Sequence, residues 1–151
     1  MAPSVRKAVP GDASFLASVV GQHWKVSLDY AGQLGDPNTV VLVAEDGAGG
    51  PPVGMALMWV RRWNSTGQLG ELAVDGSRLR QGFGSELMRA LAAEARRRGL
   101  RSIIVETQPG NQAALDFYLA LGLRICGYND RYYTNAPKGS RDVALFLSLD
   151  L

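Results

Sequence analysis

The segment of the chain best equipped to hold a ligand is Arg80-Gln81-Gly82-Phe83-Gly84-Ser85, which lies between a strand-like run and a run with helical periodicity. Glycines let the main chain come close to a bound group, and the first free N–H groups of a helix, at the positive end of its dipole, make a site for phosphate oxygens. A pyrophosphate fits such a cradle. A dinucleotide fingerprint would need its third glycine where Leu87 stands, and a P-loop would need a Gly-Lys-Ser/Thr sequence that does not follow. The same Gly-x-Gly also serves simply to start a helix tightly, so the rest of the chain has to decide.

The elements that would position this loop follow from the pattern. Residues 5–9 read as a short strand ended by Pro10-Gly11, with Asp12 placed to cap a helix whose apolar face is Phe15, Leu16, Val19 and Val20. A second short helix falls within 24–34, and 35–38 break the chain before a buried strand at 39–44. Residues 53–62 are its antiparallel partner across the turn-rich loop 46–52. After the turn at 64–67, residues 68–74 form the next strand, in which Gly70 marks a bulge or a close backbone approach and bends the strand.

From Phe83 the period becomes helical, with Phe83, Leu87, Leu91 and Ala95 on one face, and Gly99 ends the helix after Arg96, Arg97 and Arg98. Residues 102–107 are a β-branched strand joined to it as a crossover unit, 111–121 a second helix closed by Gly122, and 123–128 and 141–149 two last strands joined by a polar segment with 135–139. The expected fold is α+β: a mixed, mostly antiparallel sheet of about six to seven strands flanked by helices.

Composition bounds the function. A chain of 151 residues, 46% hydrophobic, forms one domain, taken as 1–151, and buries enough surface to need neither disulfide nor metal. A formal charge of +2 argues against nucleic acid or a membrane surface and for a small-molecule partner. With one cysteine, Cys126, and one histidine, His23, a disulfide framework and a Cys/His zinc site are excluded, and no metal is expected. The first residues have no apolar leader core and no stretch approaches a membrane span, so the expected location is cytoplasmic.

Two motifs in order carry a family resemblance. Leu72-Ala73-Val74-Asp75 followed by 80–85 resembles the strand and the Gln/Arg-x-x-Gly-x-Gly/Ala loop of the GNAT acetyltransferase superfamily, although Leu79 takes the loop's first basic position, between Arg78 and Arg80. Asn111-Gln-Ala-Ala114, Phe117-Tyr118 and Leu121-Gly122-Leu123 resemble a second signature of that family. Val105-Glu106-Thr107-Gln108 with Asn111, Ile125 and Tyr133-Thr134-Asn135 is similar to streptothricin acetyltransferases, and the placement of Glu106 and Tyr118 also resembles ribosomal-protein alanine acetyltransferases.

The resemblance implies a GNAT-like fold and acetyl-CoA as co-substrate. It places coenzyme binding at Leu72, Ala73, Val74, Leu79, Arg80, Gln81, Gly82, Phe83, Gly84, Ser85, Asn111, Ala114 and Tyr118. The reaction it implies is direct acetyl transfer to a primary amine.

An amine with a pKa of ~10.4 must lose a proton, and Glu106 on the strand after the cradle helix or Glu71 on the strand before it can take it, directly or through water. Tyr118, with an ordinary pKa of ~10, is the expected acid for a departing thiolate of pKa ~8.5. A backbone N–H near Val74 would steady the thioester oxygen if the strand is bent. Trp24, Tyr30, Trp59 and Trp63, with Asp29 or Asp36, are expected on the acceptor side, where ring faces and charge hold a cation, together with Glu71 and Glu106. His23 reads as a locally satisfied helix residue and Cys126 as a small core residue.

The expected acceptor is a small cationic amine such as an antibiotic. The alternatives are a protein or peptide N-terminus and, from another class, a non-catalytic acyl-CoA sensor. A homodimer fits the family.

Overall fold

The computed structural model describes residues 2–24, 28–133 and 143–151. Thr134, Asn135, the polar segment 135–139 and the start of the last strand at Arg141 lie outside the described residues, as do 25–27. Seven strands form one sheet: β1 Pro3–Lys7, β2 Thr39–Asp46, β3 Pro52–Arg61, β4 Thr66–Val74, β5 Ser102–Thr107, β6 Arg124–Asn129 and β7 Ala144–Asp150. Their order is β1-β2-β3-β4-β5-β7-β6, and every neighbouring pair is antiparallel except β4 with β5. This is the expected α+β mixed sheet.

Helices cover both faces. α1 Ala13–Gly21 and α2 Tyr30–Gly35 lie on one, where Leu16, Val19, Val20 and Tyr30 pack on Val41, Val43, Met55, Leu57 and Ala73. α3 Phe83–Arg97 and α4 Gln112–Ala120 lie on the other, where Phe83, Leu87, Leu91, Leu115 and Tyr118 pack on Ala56, Met58, Leu69, Ile103, Val105 and Leu147. The alternation of side chains along each strand feeds the two cores separately. No described helix is long and apolar enough to cross a membrane.

Three local expectations are corrected. The first strand runs from Pro3 to Lys7 rather than over 5–9, because Val9 already begins the single 3₁₀ turn Pro10–Asp12. Asp12 does not cap α1 with its side chain. Its buried carboxylate takes the Arg6 guanidinium at 2.8 and 3.0 Å and the Val9 N–H at 2.8 Å, and Glu45 holds Arg6 from the other side. Cys126 is exposed, not in a core, because β6 is an edge strand and the register shift between Ile125 and Gly127 makes Cys126 its unpaired residue.

Two irregularities of β4 shape everything that follows. Its parallel pairing with β5 covers Thr66 to Gln68 against Ser102 to Ile104 and then stops, so the strands part. Opposite β3, Leu57 pairs with Glu71 and Met58 with Leu69, which leaves Gly70 as the extra residue of a bulge. A Cβ there would lie 2.7 Å from the Trp59 ring and 2.9 Å from Leu57 Cδ2, so glycine is what the bend requires.

Candidate active site

Where β4 and β5 part, an open groove of about 1020 Å³ runs along the end of β4 to the start of α3. Leu72, Ala73 and Val74 line it, with Leu79, Arg80, Gly82, Phe83, Gly84 and Ser85 from the loop, and Asn111 from the cap of α4. The N–H of Asp75 bonds the Val53 carbonyl toward β3, so by antiparallel alternation the N–H and C=O of Val74 and Leu72 face the open edge. The groove thus has strand-like donors and acceptors on one wall.

The loop is a formed cradle. Gly82 sits at φ +89° and Arg80 at φ +60°, two left-handed residues that turn the chain into α3. The first helical amide with a protein partner is that of Glu86, on the Gly82 carbonyl at 3.0 Å; among the described residues, the N–H groups of 80–85 find no acceptor. Such amides, at the positive helix end, fit a pyrophosphate. Arg78 is committed elsewhere: it pairs with Asp46 at 2.9 Å, donates to the Gln81 side chain at 3.0 Å and lies over the Phe83 ring. Leu79 is exposed.

The other side of the gap carries the carboxylates. Leu69 faces the α3 core and Ala73 the α1 core, and the bulge at Gly70 is where β4 changes phase, so Glu71 projects from the α1/α2 face. On β5, Ile103 and Val105 are in the α3 core, which puts Glu106 on the α1/α2 face too. Past the Gln68–Ile104 pair, with Gly70 as the added residue of β4, Glu71 and Glu106 are the next residues of the two strands to project from the α1/α2 face.

Each carboxylate has a phenol. Tyr30 donates to both oxygens of Glu71, at 2.9 and 3.2 Å, and Tyr133 donates to Glu106 at 3.0 Å. Burial raises both glutamate pKa values above the ordinary one, partly offset at Glu71 by Tyr30 and at Glu106 by Tyr133 and Tyr132. Burial also raises Tyr30 and Tyr133, each further raised by its glutamate. Phe146, opposite Glu106 on β7, packs edge-on against Tyr132.

Tyr118 stands on α4, 9% exposed, in edge contact with Phe117, and burial pushes its phenol up to about 12. Its ring belongs to the α3 core rather than to the groove wall, and among the described residues its hydroxyl meets no acceptor. Its neighbours Phe117 and Asp116, with Ala113, line the groove instead; Phe117 enters the sequence reading only as part of a signature and none of the three as a site residue, and the helical spacing from Asn111 is the signal that finds them.

The aromatic residues divide. Tyr30 reaches the carboxylate face, and Trp59 packs beside it with its indole N–H on Gln33 at 2.9 Å. Trp24 lines the coenzyme-side groove with His23, whose Nε2 is 2.8 Å from the Val74 carbonyl, and Trp63 is 86% exposed. Asp29 accepts from the Gly32 N–H and Asp36 from the Asn38 N–H, so both serve local turns. Ala114 gives its N–H to the capping Asn111 side chain.

Residues 13–123 match the model of the acetyltransferase (GNAT) family, and the chain belongs to that family. It is an acetyltransferase of this superfamily, and its seven-stranded sheet and four helices are the family fold. No curated protein sequence matches it. Among solved structures, the ribosomal-protein-S18-alanine N-acetyltransferase from Escherichia coli is 20% identical, with a TM-score of 0.81 over 99% of this chain and 94% of the other. A candidate streptothricin acetyltransferase from Bacillus anthracis str. Ames, in complex with acetyl coenzyme A, is 18% identical, with a TM-score of 0.84 over 99% and 100%. Nourseothricin acetyltransferase is 22% identical, with a TM-score of 0.77 over 99% of each chain.

Proposed function

We propose that the protein transfers an acetyl group from acetyl-CoA directly to the primary amine of a small cationic molecule. One observation carries this reading: two half-buried carboxylates, Glu71 and Glu106, project from one face of the sheet just past the last β4–β5 pair, and the open edge of β4 runs from there to the cradle. The gap joins a place for a cation to a place for a coenzyme.

In this reading the amides of 82–85 hold the pyrophosphate, and the outward N–H groups of Leu72 and Val74, with the Leu72 carbonyl, hold the coenzyme arm as a neighbouring strand would. The N–H of Val74 or Leu72 steadies the thioester oxygen as it gains charge. Glu106 or Glu71 takes the ammonium proton, and a carboxyl held above its ordinary pKa by burial is the better matched base for operation near neutrality. Tyr118 serves the departing sulfur. With its phenol at about 12 and a free thiol at ~8.5, full proton transfer in the resting protein would be uphill by about 5 kcal/mol, so what Tyr118 first supplies is a hydrogen bond to the thiolate, and the proton follows to the extent that the same burial makes the thiolate more basic. A buried hydroxyl that meets no acceptor among the described residues supports that role, since Tyr30 and Tyr133 are both satisfied.

The test is a panel of small amines and peptides incubated with acetyl-CoA and the protein, following released thiol and acetylated product. Turnover of small cationic amines above peptides is the expected result. Turnover of peptide N-termini alone would move the acceptor to proteins, and thiol release without an acetylated product would sink the reading.

A further inference from the structure

Glu71 and Glu106 are more than one proton transfer requires. Both are half-buried, both leave the sheet on the α1/α2 face, and among the described residues neither has an ion-pair partner. Their neighbours are phenols instead, Tyr30 on Glu71 and Tyr133 with Tyr132 on Glu106, which leave the negative charge of each carboxylate unbalanced among the described residues. The shared face is not a by-product of ordinary pairing: without the extra residue at Gly70, Glu71 would share the phase of Leu69 and point into the α3 core.

Acetyl transfer gives the two groups unequal fates. The acceptor enters as an ammonium and its nitrogen gives up two protons. One passes to a carboxylate and then to water. The other is matched by the proton that sulfur gains as the new C–N bond forms and the C–S bond breaks with its electron pair going to sulfur. One carboxylate is thus neutralised during turnover while the other stays charged in a desolvated place. A lone desolvated carboxylate is costly, and a cation held against it for the whole cycle removes that cost.

From this geometry we infer that the acceptor is a diamine: one amino group is acetylated while a second, kept as an ammonium, is held by whichever of Glu71 and Glu106 is not the base. The inference rests on the acetyl-transfer reading above. It narrows the acceptor to molecules with two amino groups spaced to reach both sides of the gap between β4 and β5. The phenols of Tyr30 and Tyr133 fix the carboxylates in place for the two ends.

The experiment measures kcat/KM with acetyl-CoA for diaminoalkanes of increasing length, each beside the monoamine in which one terminal amino group is replaced by methyl. At a fitting length the diamine should exceed its monoamine by about tenfold or more, with the preference shrinking as salt is raised. Glu71→Gln and Glu106→Gln should then separate the roles. One should lower turnover of both substrates at neutral pH. The other should bring the preference for diamine over monoamine within about twofold.

Because the wild-type comparison needs no variant, a misfolded variant cannot rescue or hide the outcome. Equal turnover of monoamine and diamine at every length overturns the inference and leaves acetyl transfer standing. A preference unchanged in both Gln variants overturns it as well, as would acetylation of peptides but of neither amine class. Absence of any acetylated product removes the acetyl-transfer reading itself, and the inference with it.

Discussion

Tyr30 donates its hydroxyl to both oxygens of Glu71, at 2.9 and 3.2 Å, across a sequence separation of 41 residues. Burial raises the Glu71 pKa and this bond lowers it, so the phenol keeps the carboxylate more ionised than its surroundings alone would. Removing the donor in Tyr30→Phe therefore raises the Glu71 pKa further, and any rate limb that depends on its ionisation moves to higher pH. A carboxyl-carbon NMR titration of wild type and variant reads the shift directly. A lower Glu71 pKa in the variant would contradict the assignment.

Gly82→Val tests the cradle. A Cβ at this position meets no atom within 4 Å, so the cost is conformational: φ is +89°, and a β-branched residue held there is strained by about 1–3 kcal/mol. The loop should relax to a different turn and the amides should no longer converge. Calorimetric titration with acetyl-CoA should show affinity reduced by about tenfold or more. Unchanged affinity would remove the pyrophosphate from this loop.

Tyr118→Phe removes a hydroxyl that bonds no described residue and keeps the ring packed against Phe117. Melting temperature and acetyl-CoA affinity should change little, while kcat falls by about 10²- to 10⁴-fold, the usual cost of losing a positioned acid. Steady-state kinetics alongside melts with and without acetyl-CoA decide it. A fall in kcat under about threefold with matching melts would show that the thiolate leaves without this phenol.

Asp12 gives a prediction about stability rather than activity. The Arg6 guanidinium holds its pKa below the ordinary aspartate value, with the Val9 N–H acting in the same direction against burial. Its contribution is therefore full above the unfolded-state pKa of ~3.9 and is lost as pH falls through the lower folded-state value. Asp12→Asn should cost about 1–3 kcal/mol at pH 7, and the gap to wild type should close as the pH falls from ~3.9 through the lower folded-state value. Denaturant unfolding over this pH range measures it, and a gap that persists in acid would assign the loss to something other than charge.

Much of this was legible in the chain. The run from Leu72 to Ser85 could be placed at a strand end and a helix start because Gly82 and Gly84 stand where a helical period begins at Phe83. Gly70 could be read as a bend because glycine inside a β run has few other uses. What the chain does not display is phase. Whether Glu71 faces Glu106 depends on which side of the bulge it falls, and that is fixed by the pairing of Leu57 and Met58 on another strand.

Long-range partners were hidden for the same reason. Asp12 in a capping position looks identical whether it serves the helix or Arg6, and Trp24 sits beside the cradle rather than the carboxylates because the end of α1 is tied to the end of β4 through Gln22, bonded to Asp75 and Gly76, and through His23 at Val74. Gly84 also has a reason that sequence hides. A Cβ there would press on the Phe117 ring at 3.3 Å, so the glycine lets α3 start close to α4 as well as to a ligand.

The parting of β4 from β5 gives the protein an edge in the middle of its sheet. Unsatisfied strand edges ordinarily lie at the rim, where another chain can add to them and seed aggregation. Here the outward N–H groups of Leu72 and Val74, unpaired among the described residues, lie in a gap between two strands that are still joined at Gln68 and Ile104. A foreign sheet has no approach to them. The slot admits something a single chain wide, so the fold keeps the hydrogen-bonding appetite of an edge strand for a slender ligand while withholding it from other proteins.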